Sequence, residues 1–246
     1  MAFQSVFKRY ELKYLISPDQ KQKILSAMAP YMELDNFGRS SIRNIYYDTD
    51  TYLVIRRSVD KPVYKEKLRI RSYGRAARGG KVFVELKKKY QSIVYKRRIS
   101  MPQEDALGWL AGVSTCPQST QIADEIDYFV SFYQSLHPVM FICYEREAFF
   151  SKDGLDFRVT FDDNILCRQD ELTLDSDAYG TPILPDGKVL MEIKCSGGIP
   201  LWMTDILSRE RIYKTSFSKY GTAYKQIIFP QLCNTHDSIT EAANYD

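Results

Sequence analysis

The stretch Val63–Lys89 reads VYKEKLRIRSYGRAARGGKVFVELKKK, and its pattern decides the fold. The first part alternates with a period of two. Lys65, Lys67, Arg69 and Arg71 fall on one side and Tyr64, Leu68 and Ile70 on the other, with Glu66 the exception. Successive side chains of a strand point to opposite faces, so the stretch is a strand with one basic and one apolar face. Three glycines among basic residues at Gly74–Gly80 read as a hairpin loop, and Lys81–Lys89 as the return strand, with Glu85 and Lys87 on a shared face. The same habit extends outward in both directions.

Upstream, Phe7–Ile16 alternates, with Tyr10, Leu12, Tyr14 and Ile16 against Arg9, Glu11 and Lys13. Ser17-Pro18-Asp19 then has the form of a helix start, a capping serine before proline, and an apolar stripe runs to about Met32. A loop around Asn36–Ser40 precedes a strand at Ile42–Asp48 and a short segment holding Arg56 and Arg57. Downstream, Ile93–Ile99 is a strand with Lys96, Arg97 and Arg98, and Pro102–Gly112 and Gln121–Leu136 carry helical spacing. Strands return at Val139–Phe149, Asp156–Asp162 and Lys188–Cys195. Helices at Leu201–Ile212 and Phe217–Ile227 close the fold, the last stopped by Pro230. A single domain over residues 1–230 and a flexible polar tail at 231–246 are expected.

Short charged groups recur on the non-apolar faces: Arg9/Glu11/Lys13, Lys67/Arg69/Arg71, Glu85/Lys87, Arg158/Thr160/Asp162 and Glu192/Lys194. The opposite faces are strongly apolar and require a cover. An α+β fold satisfies both demands as a closed, antiparallel eight-stranded β-barrel, its charged side chains lining the lumen and its helices packed outside. Such barrels leave room for side chains and one small ligand. A lumen rich in arginine and lysine is costly unless a polyanion compensates it, so the expected guest is long, narrow and negative.

The chain has 246 residues, 44% hydrophobic and 26% charged, enough for a core without disulfide or metal staples. Five cysteines stand far apart, as reduced thiols do, and no apolar run approaches the ~20 residues of a membrane span. With charges at its amino terminus instead of a signal sequence, the expected location is the cytoplasm. Net charge is +3, no strong lure for nucleic acid, and aromatics fall mostly opposite the basic residues, which argues against a base-stacking groove. Phosphate-loop, nucleophile-elbow and zinc-protease motifs are missing from the sequence. His137 and His236 suggest neither a ligand nor a base.

Taken in order, RYELKY, IYYDT, KLRIRSYG, VFVELKKK, YEREAF, DFRVTFD, LMEIK and FSKYGTAY resemble the VTC domain. This is the polyphosphate polymerase domain of the vacuolar transporter chaperone complex, within the triphosphate tunnel metalloenzymes. The resemblance spans about Phe7 to Phe229. It implies an ATP:polyphosphate phosphotransferase that uses Mn²⁺ or Mg²⁺, in a tunnel open enough for product to thread out of its far end. The alternatives are a metal-dependent triphosphatase of the same architecture and a module that only binds polyphosphate.

By matching position, Arg69, Arg71, Lys87, Arg146 and Lys219 correspond to catalytic cations, and Lys13, Arg158, Lys194 and, loosely, Arg57 to substrate-binding ones. Glu192 corresponds to a metal-binding glutamate and Glu11 is the second candidate; Glu85 and Glu147 follow. Where many tunnel enzymes begin with ExExK, Arg9 takes the place of the first glutamate, which favours the polymerase branch. The partners implied are ATP and polyphosphate. No membrane span is expected within this chain, so any coupling to a membrane falls to a separate protein. The chemistry agrees: phosphoryl transfer needs alignment and charge neutralisation more than covalent help. Arginine's fork suits phosphate oxygens, and magnesium takes one or two carboxylates.

Overall fold

The computed structural model of the chain describes residues 10–60, 62–91 and 93–234. Alternation becomes strand wherever the sequence carries it. In chain order the elements are β1 (Tyr10–Ile16), α1 (Pro18–Met28), β2 (Met32–Asp48), α2 (Leu53–Val59), β3 (Tyr64–Tyr73), β4 (Lys81–Tyr90) and β5 (Ile93–Pro102). They continue as α3 (Gln103–Leu110), α4 (Gln121–Tyr133), β6 (His137–Ser151), β7 (Phe157–Arg168), β8 (Thr181–Pro182), β9 (Val189–Cys195), α5 (Leu201–Arg209) and α6 (Lys219–Ala223). A π-helical turn follows at Tyr224–Ile228. Phe7, Lys8 and Arg9 of the expected first strand lie outside the described residues.

All strand pairs are antiparallel, in the order β1-β9-β7-β6-β2-β3-β4-β5, with β8 added to β7. Two expectations are corrected here. Among the described residues the sheet has nine strands instead of eight, because the two-residue β8 is too short to show a period. Nor is it closed into a barrel, since among those residues β1 pairs in a ladder only with β9 and β5 only with β4. The free edge of β1 is met by Thr215, whose N–H donates to the Lys13 carbonyl at 2.7 Å.

The convex face is covered by helices in two patches. Over β3–β5, Leu68, Ile70, Val84 and Leu86 pack with Trp109 and Leu110 of α3 and Ile126 and Phe129 of α4. Over β1, β9 and β7, Ile16, Ile193, Val159 and Phe161 pack with Ile24 and Met28 of α1 and Met203 and Ile206 of α5. Each such side chain, fully buried, contributes about 1.5–3 kcal/mol. Helix α1 begins as its sequence requires. The Ser17 side chain accepts from the Gln20 N–H while Gln20 accepts from the Ser17 N–H, a reciprocal cap with Pro18 at the first position.

The concave face divides in two. One part is apolar: Tyr46, Met140, Ile142 and Leu190 meet Phe217, just before the C-terminal helix, and Tyr220, Ala223 and Ile228 within it. Tyr220 stacks on Tyr46 with ring centroids 4.8 Å apart, and its hydroxyl donates to Asp48 Oδ2 at 2.9 Å. This helix occupies the apolar part of the concavity. The chain stays helical through Pro230 to residue 234, so Pro230 does not stop it. The remaining tail residues, His236 among them, lie outside the described residues.

Strand β2 begins earlier than its alternation suggests. Leu34 pairs with Phe149 and Arg39 with Glu147, so Asp35–Gly38 bulge out of register and read as loop in sequence.

Candidate active site

The basic face of Val63–Lys89 becomes the wall of the polar half of the concavity. Register carries it across the sheet: Arg69 lies opposite Tyr46 and Glu85, Arg71 opposite Asn44, and Glu85 opposite Arg98. On the other wall Lys13 lies opposite Glu192, Glu192 opposite Thr160, and Arg146 opposite Asp162. Side chains directly opposite share a face, so distant stretches of sequence converge here.

Three groupings result. Glu85, 0% exposed, is gripped by Arg69 (Nη2 to Oε2, 2.8 Å), Lys96 (Nζ to Oε1, 2.7 Å) and Arg98 (Nε to Oε1, 2.7 Å), with Arg71 Nε at 3.8 Å. Burial alone would raise the Glu85 carboxyl, but Arg71, Arg69, Lys96 and Arg98 hold it well below the usual range. Burial pushes the Lys96 ammonium down, Glu85 pulls it back, and Arg71 and Arg98 depress it again, to about 7. Arg69 donates to the Tyr46 hydroxyl at 2.9 Å, and Arg71 to Asn44 Oδ1 at 2.8 Å and to the Tyr144 hydroxyl at 3.1 Å.

The second grouping centres on Asp162, also 0% exposed. Arg146 grips it with both nitrogens, at 2.6 and 2.7 Å, and Lys219 reaches it at 2.5 Å. Burial favours protonation of Asp162, yet Arg146 and Lys219 bring its pKa down to about 2. The Lys219 ammonium and the Arg146 guanidinium also lie 4.3 and 5.1 Å from the Tyr144 ring centre. Burial would raise the Tyr144 phenol; Arg146, Arg71 and Lys219 lower it to about 8. Serine 218 caps α6 and so fixes where Lys219 begins.

The third grouping joins β1, β9 and β4. Glu11 accepts from Lys87 at 2.7 Å, and Glu192 lies 3.7 Å from Lys194. Burial, against the pull of Glu192, lowers Lys13 to about 8, and its Nζ donates to the Phe217 carbonyl at 2.7 Å. Burial and the surrounding Lys13, Lys87, Lys65 and Arg69 push Lys67 well below its ordinary value; its ammonium donates to Ser218 at 2.7 Å. Among the described residues Lys67 has no ion-pair partner. Glu192, burial notwithstanding, is held well down by Lys194, Lys13 and Lys87.

The sequence-derived candidates mostly meet. Lys13, Arg69, Arg71, Lys87, Arg146, Lys194, Lys219, Glu11 and Glu192 share the concave face. Arg158 stands at its rim with its side chain half exposed, 3.2 Å from Asp35. Arg57 does not join them: it lies 5.9 Å from the Tyr133 ring, beside Val54, Asp60 and Tyr64. The loose match placed it from chain order alone, and α2 turns it away. Glu147 points outward to Lys21, and both Glu85 oxygens are taken by cations.

Glu11 and Glu192 are thus the carboxylates able to hold a hard divalent cation, and each feels the other's charge. The buried Thr160 hydroxyl, opposite Glu192, has no hydrogen-bond partner. Two carboxylates and an unpaired hydroxyl fit a cation that takes its other ligands from phosphate. No group of three or more acidic, histidine or cysteine side chains among the described residues forms a protein-only cage.

Lys67 and Asp162 stand on the charged faces expected to line the lumen, although the resemblance gives neither a role; Lys96, Arg98 and Asn44 carry no such signal in the sequence. The expectation that aromatics fall mostly opposite the basic residues does not extend to four of them. Tyr46, Tyr73, Phe83 and Tyr144 in fact share the basic face.

The family model of the VTC domain matches residues 8–228. The chain belongs to the VTC domain family. Among curated proteins none matches it significantly. Two solved structures share its fold. A Bacillus halodurans protein provisionally described as an adenylate cyclase superposes with a TM-score of 0.54 at 14% identity, covering 86% of this chain and 94% of that one. A Hippeastrum protein, described as an adenylyl cyclase with a dominant triphosphatase activity, gives 0.53 at 15% identity, covering 88% and 95%. This VTC domain has no described helix long and apolar enough to cross a membrane, and its five cysteines are free.

Proposed function

We propose that this VTC domain is a metal-dependent phosphotransferase that passes the γ-phosphoryl group of ATP to the end of a polyphosphate chain and releases ADP. The observation that carries the reading is the surplus of cations in the concavity, above all Lys67 and Lys13, which burial forces toward the neutral form. A bound string of phosphates supplies the missing negative charge. In the reaction a terminal oxygen of the acceptor forms a bond to the γ-phosphorus, and the bond from that phosphorus to the β–γ bridging oxygen breaks. The leaving ADP keeps the electron pair.

Arg69, Arg71, Lys87, Arg146 and Lys219 neutralise the phosphate oxygens and hold donor and acceptor in line, which is most of what such a transfer demands. Lys13 and Lys194 bind the chain, and Arg158 meets it at the rim. Glu192 and Glu11, with Thr160 beside them, hold Mn²⁺ or Mg²⁺; when bound, the ion neutralises charge on the phosphates. The Hippeastrum neighbour, with its triphosphatase activity, keeps water in view as a rival acceptor. Incubation with ATP and Mn²⁺ decides. Long acid-labile phosphate chains support the polymerase, orthophosphate alone assigns a triphosphatase, and metal-independent polyphosphate binding without turnover overturns both.

A further inference from the structure

On the basic side of the sheet three neighbouring strands bring together two aromatics and an arginine. Tyr73 ends β3 two residues beyond Arg71, Phe83 of β4 lies opposite Arg71, and Arg98 of β5 lies opposite Glu85. Tyr73 and Phe83 meet edge to face with centroids 5.5 Å apart. The Arg98 guanidinium sits 4.3 Å from the centre of the Phe83 ring and 5.7 Å from that of Tyr73. It is pinned there by hydrogen bonds to Glu85 Oε1 at 2.7 Å and to the Tyr73 hydroxyl at 2.8 Å. Lys81 reaches to 5.9 Å from the same Phe83 ring.

This cluster borders the phosphate-facing cations without being one of their ion pairs alone. Tyr73 is 51% exposed and the Arg98 side chain 33%, whereas Glu85 beneath them is fully buried. The guanidinium lies over one ring, is held by Glu85 and the Tyr73 hydroxyl, and keeps a third of its side chain exposed beside the half-exposed Tyr73 ring. Purines stack on such surfaces, on aromatic rings and on arginine planes alike, with little demand for a particular base.

We infer that Tyr73, Phe83 and Arg98 form the platform on which the nucleobase of the triphosphate donor stacks while its phosphates lie on Arg69, Arg71 and the cations beyond. The inference rests on the nucleotide donor of the proposed function and adds what distinguishes that donor from inorganic phosphate chains. Arg98 links the two parts, since it touches the base platform and Glu85 at once.

The test compares ATP with inorganic tripolyphosphate, which has the phosphates and no base. In a Tyr73→Trp variant, ATP quenches the added indole fluorescence, read against the parent protein with its own Trp109 and Trp202, and tripolyphosphate at equal occupancy does not. In Tyr73→Ala the dissociation constant for ATP rises about tenfold while that for tripolyphosphate moves less than twofold. Equal weakening of both ligands overturns the inference, because Tyr73 then only supports the fold around Arg98. Unchanged ATP affinity in Tyr73→Ala overturns it as well and leaves the phosphotransferase reading standing. If the parent protein binds neither ligand, the proposed function fails and the platform falls with it.

Discussion

A charge kept out of water depends on what stands beside it, and Asp162 shows how far that dependence goes. Its carboxylate is wholly buried and serves both Arg146 and Lys219. Asp162→Asn leaves two buried cations short of a partner and should cost about 3–5 kcal/mol in chemical denaturation. The pH dependence has a definite sign. The folded pKa near 2 lies below the ordinary carboxylate value, so this group's contribution is complete above about pH 4 and drains away as the pH falls toward 2. The asparagine variant should lose the part of the acid unfolding slope that belongs to this window. Lys96 behaves in the opposite sense toward ligand. With its pKa near 7 in the free protein, a bound triphosphate must raise it and draw in a proton. Tripolyphosphate affinity, measured by calorimetry without added metal, should therefore fall as pH rises from 6 through 8. Lys96→Arg should remove the part of that fall centred near pH 7 and leave the part near pH 8 that belongs to Lys13 and Tyr144. For turnover, Glu192→Gln should abolish metal-dependent phosphoryl transfer and keep part of the ATP binding; normal activity would remove Glu192 from the metal site.

At the level of elements, the C-terminal helix does two jobs with adjacent residues. Tyr220 anchors it on Tyr46 and Asp48, and Lys219 reaches Asp162. Asp48 also accepts the Val54 and Ile55 N–H groups at the start of α2, so one buried carboxylate ties two helices to the end of β2. Tyr220→Ala should destabilise the protein by about 3–5 kcal/mol, as large buried aromatics do, and should raise the KM for ATP through the displaced Lys219. Why some elements are legible in sequence and others are not follows from the same contacts. Strand β3 declares itself because Lys65 to Arg71 and Leu68 to Ile70 obey a strict period of two. The early half of β2 does not, because Asp35–Gly38 leave the ladder and take turn geometry, with Gly38 at φ +57°. Lys219 could be found only through FSKY and its likeness to relatives, since nothing local says that its helix lies inside the concavity. Arg57 shows the converse: chain order suggested it, but α2 sets it beside Tyr133 and Tyr64, away from the other cations.

For the molecule as a whole, charged side chains gather where alternation said they would, but closure was beyond its reach. Period two reports which way a side chain points and carries no information about whether the first and last strands meet. The edges of β1 and β5 stay unpaired to each other, with Thr215 covering part of one and Lys96, Arg97 and Arg98 charging the other. Amides of β5 that point away from β4 should exchange with deuterium on the order of tenfold sooner than those of β6, which is paired on both sides. Matching rates would place another segment against that edge.

The lysines gathered around Lys67 have one more effect. Lys13, Lys87 and Lys65 repel its charge, and any polyanion bound among them offsets that repulsion. Inorganic tripolyphosphate at 100 times its dissociation constant would add about 2.7 kcal/mol, enough to lift the melting temperature by about 5–10 °C. Any linear polyanion that binds there would then support the fold it binds to, and the protein's lifetime would rise with the abundance of that ligand.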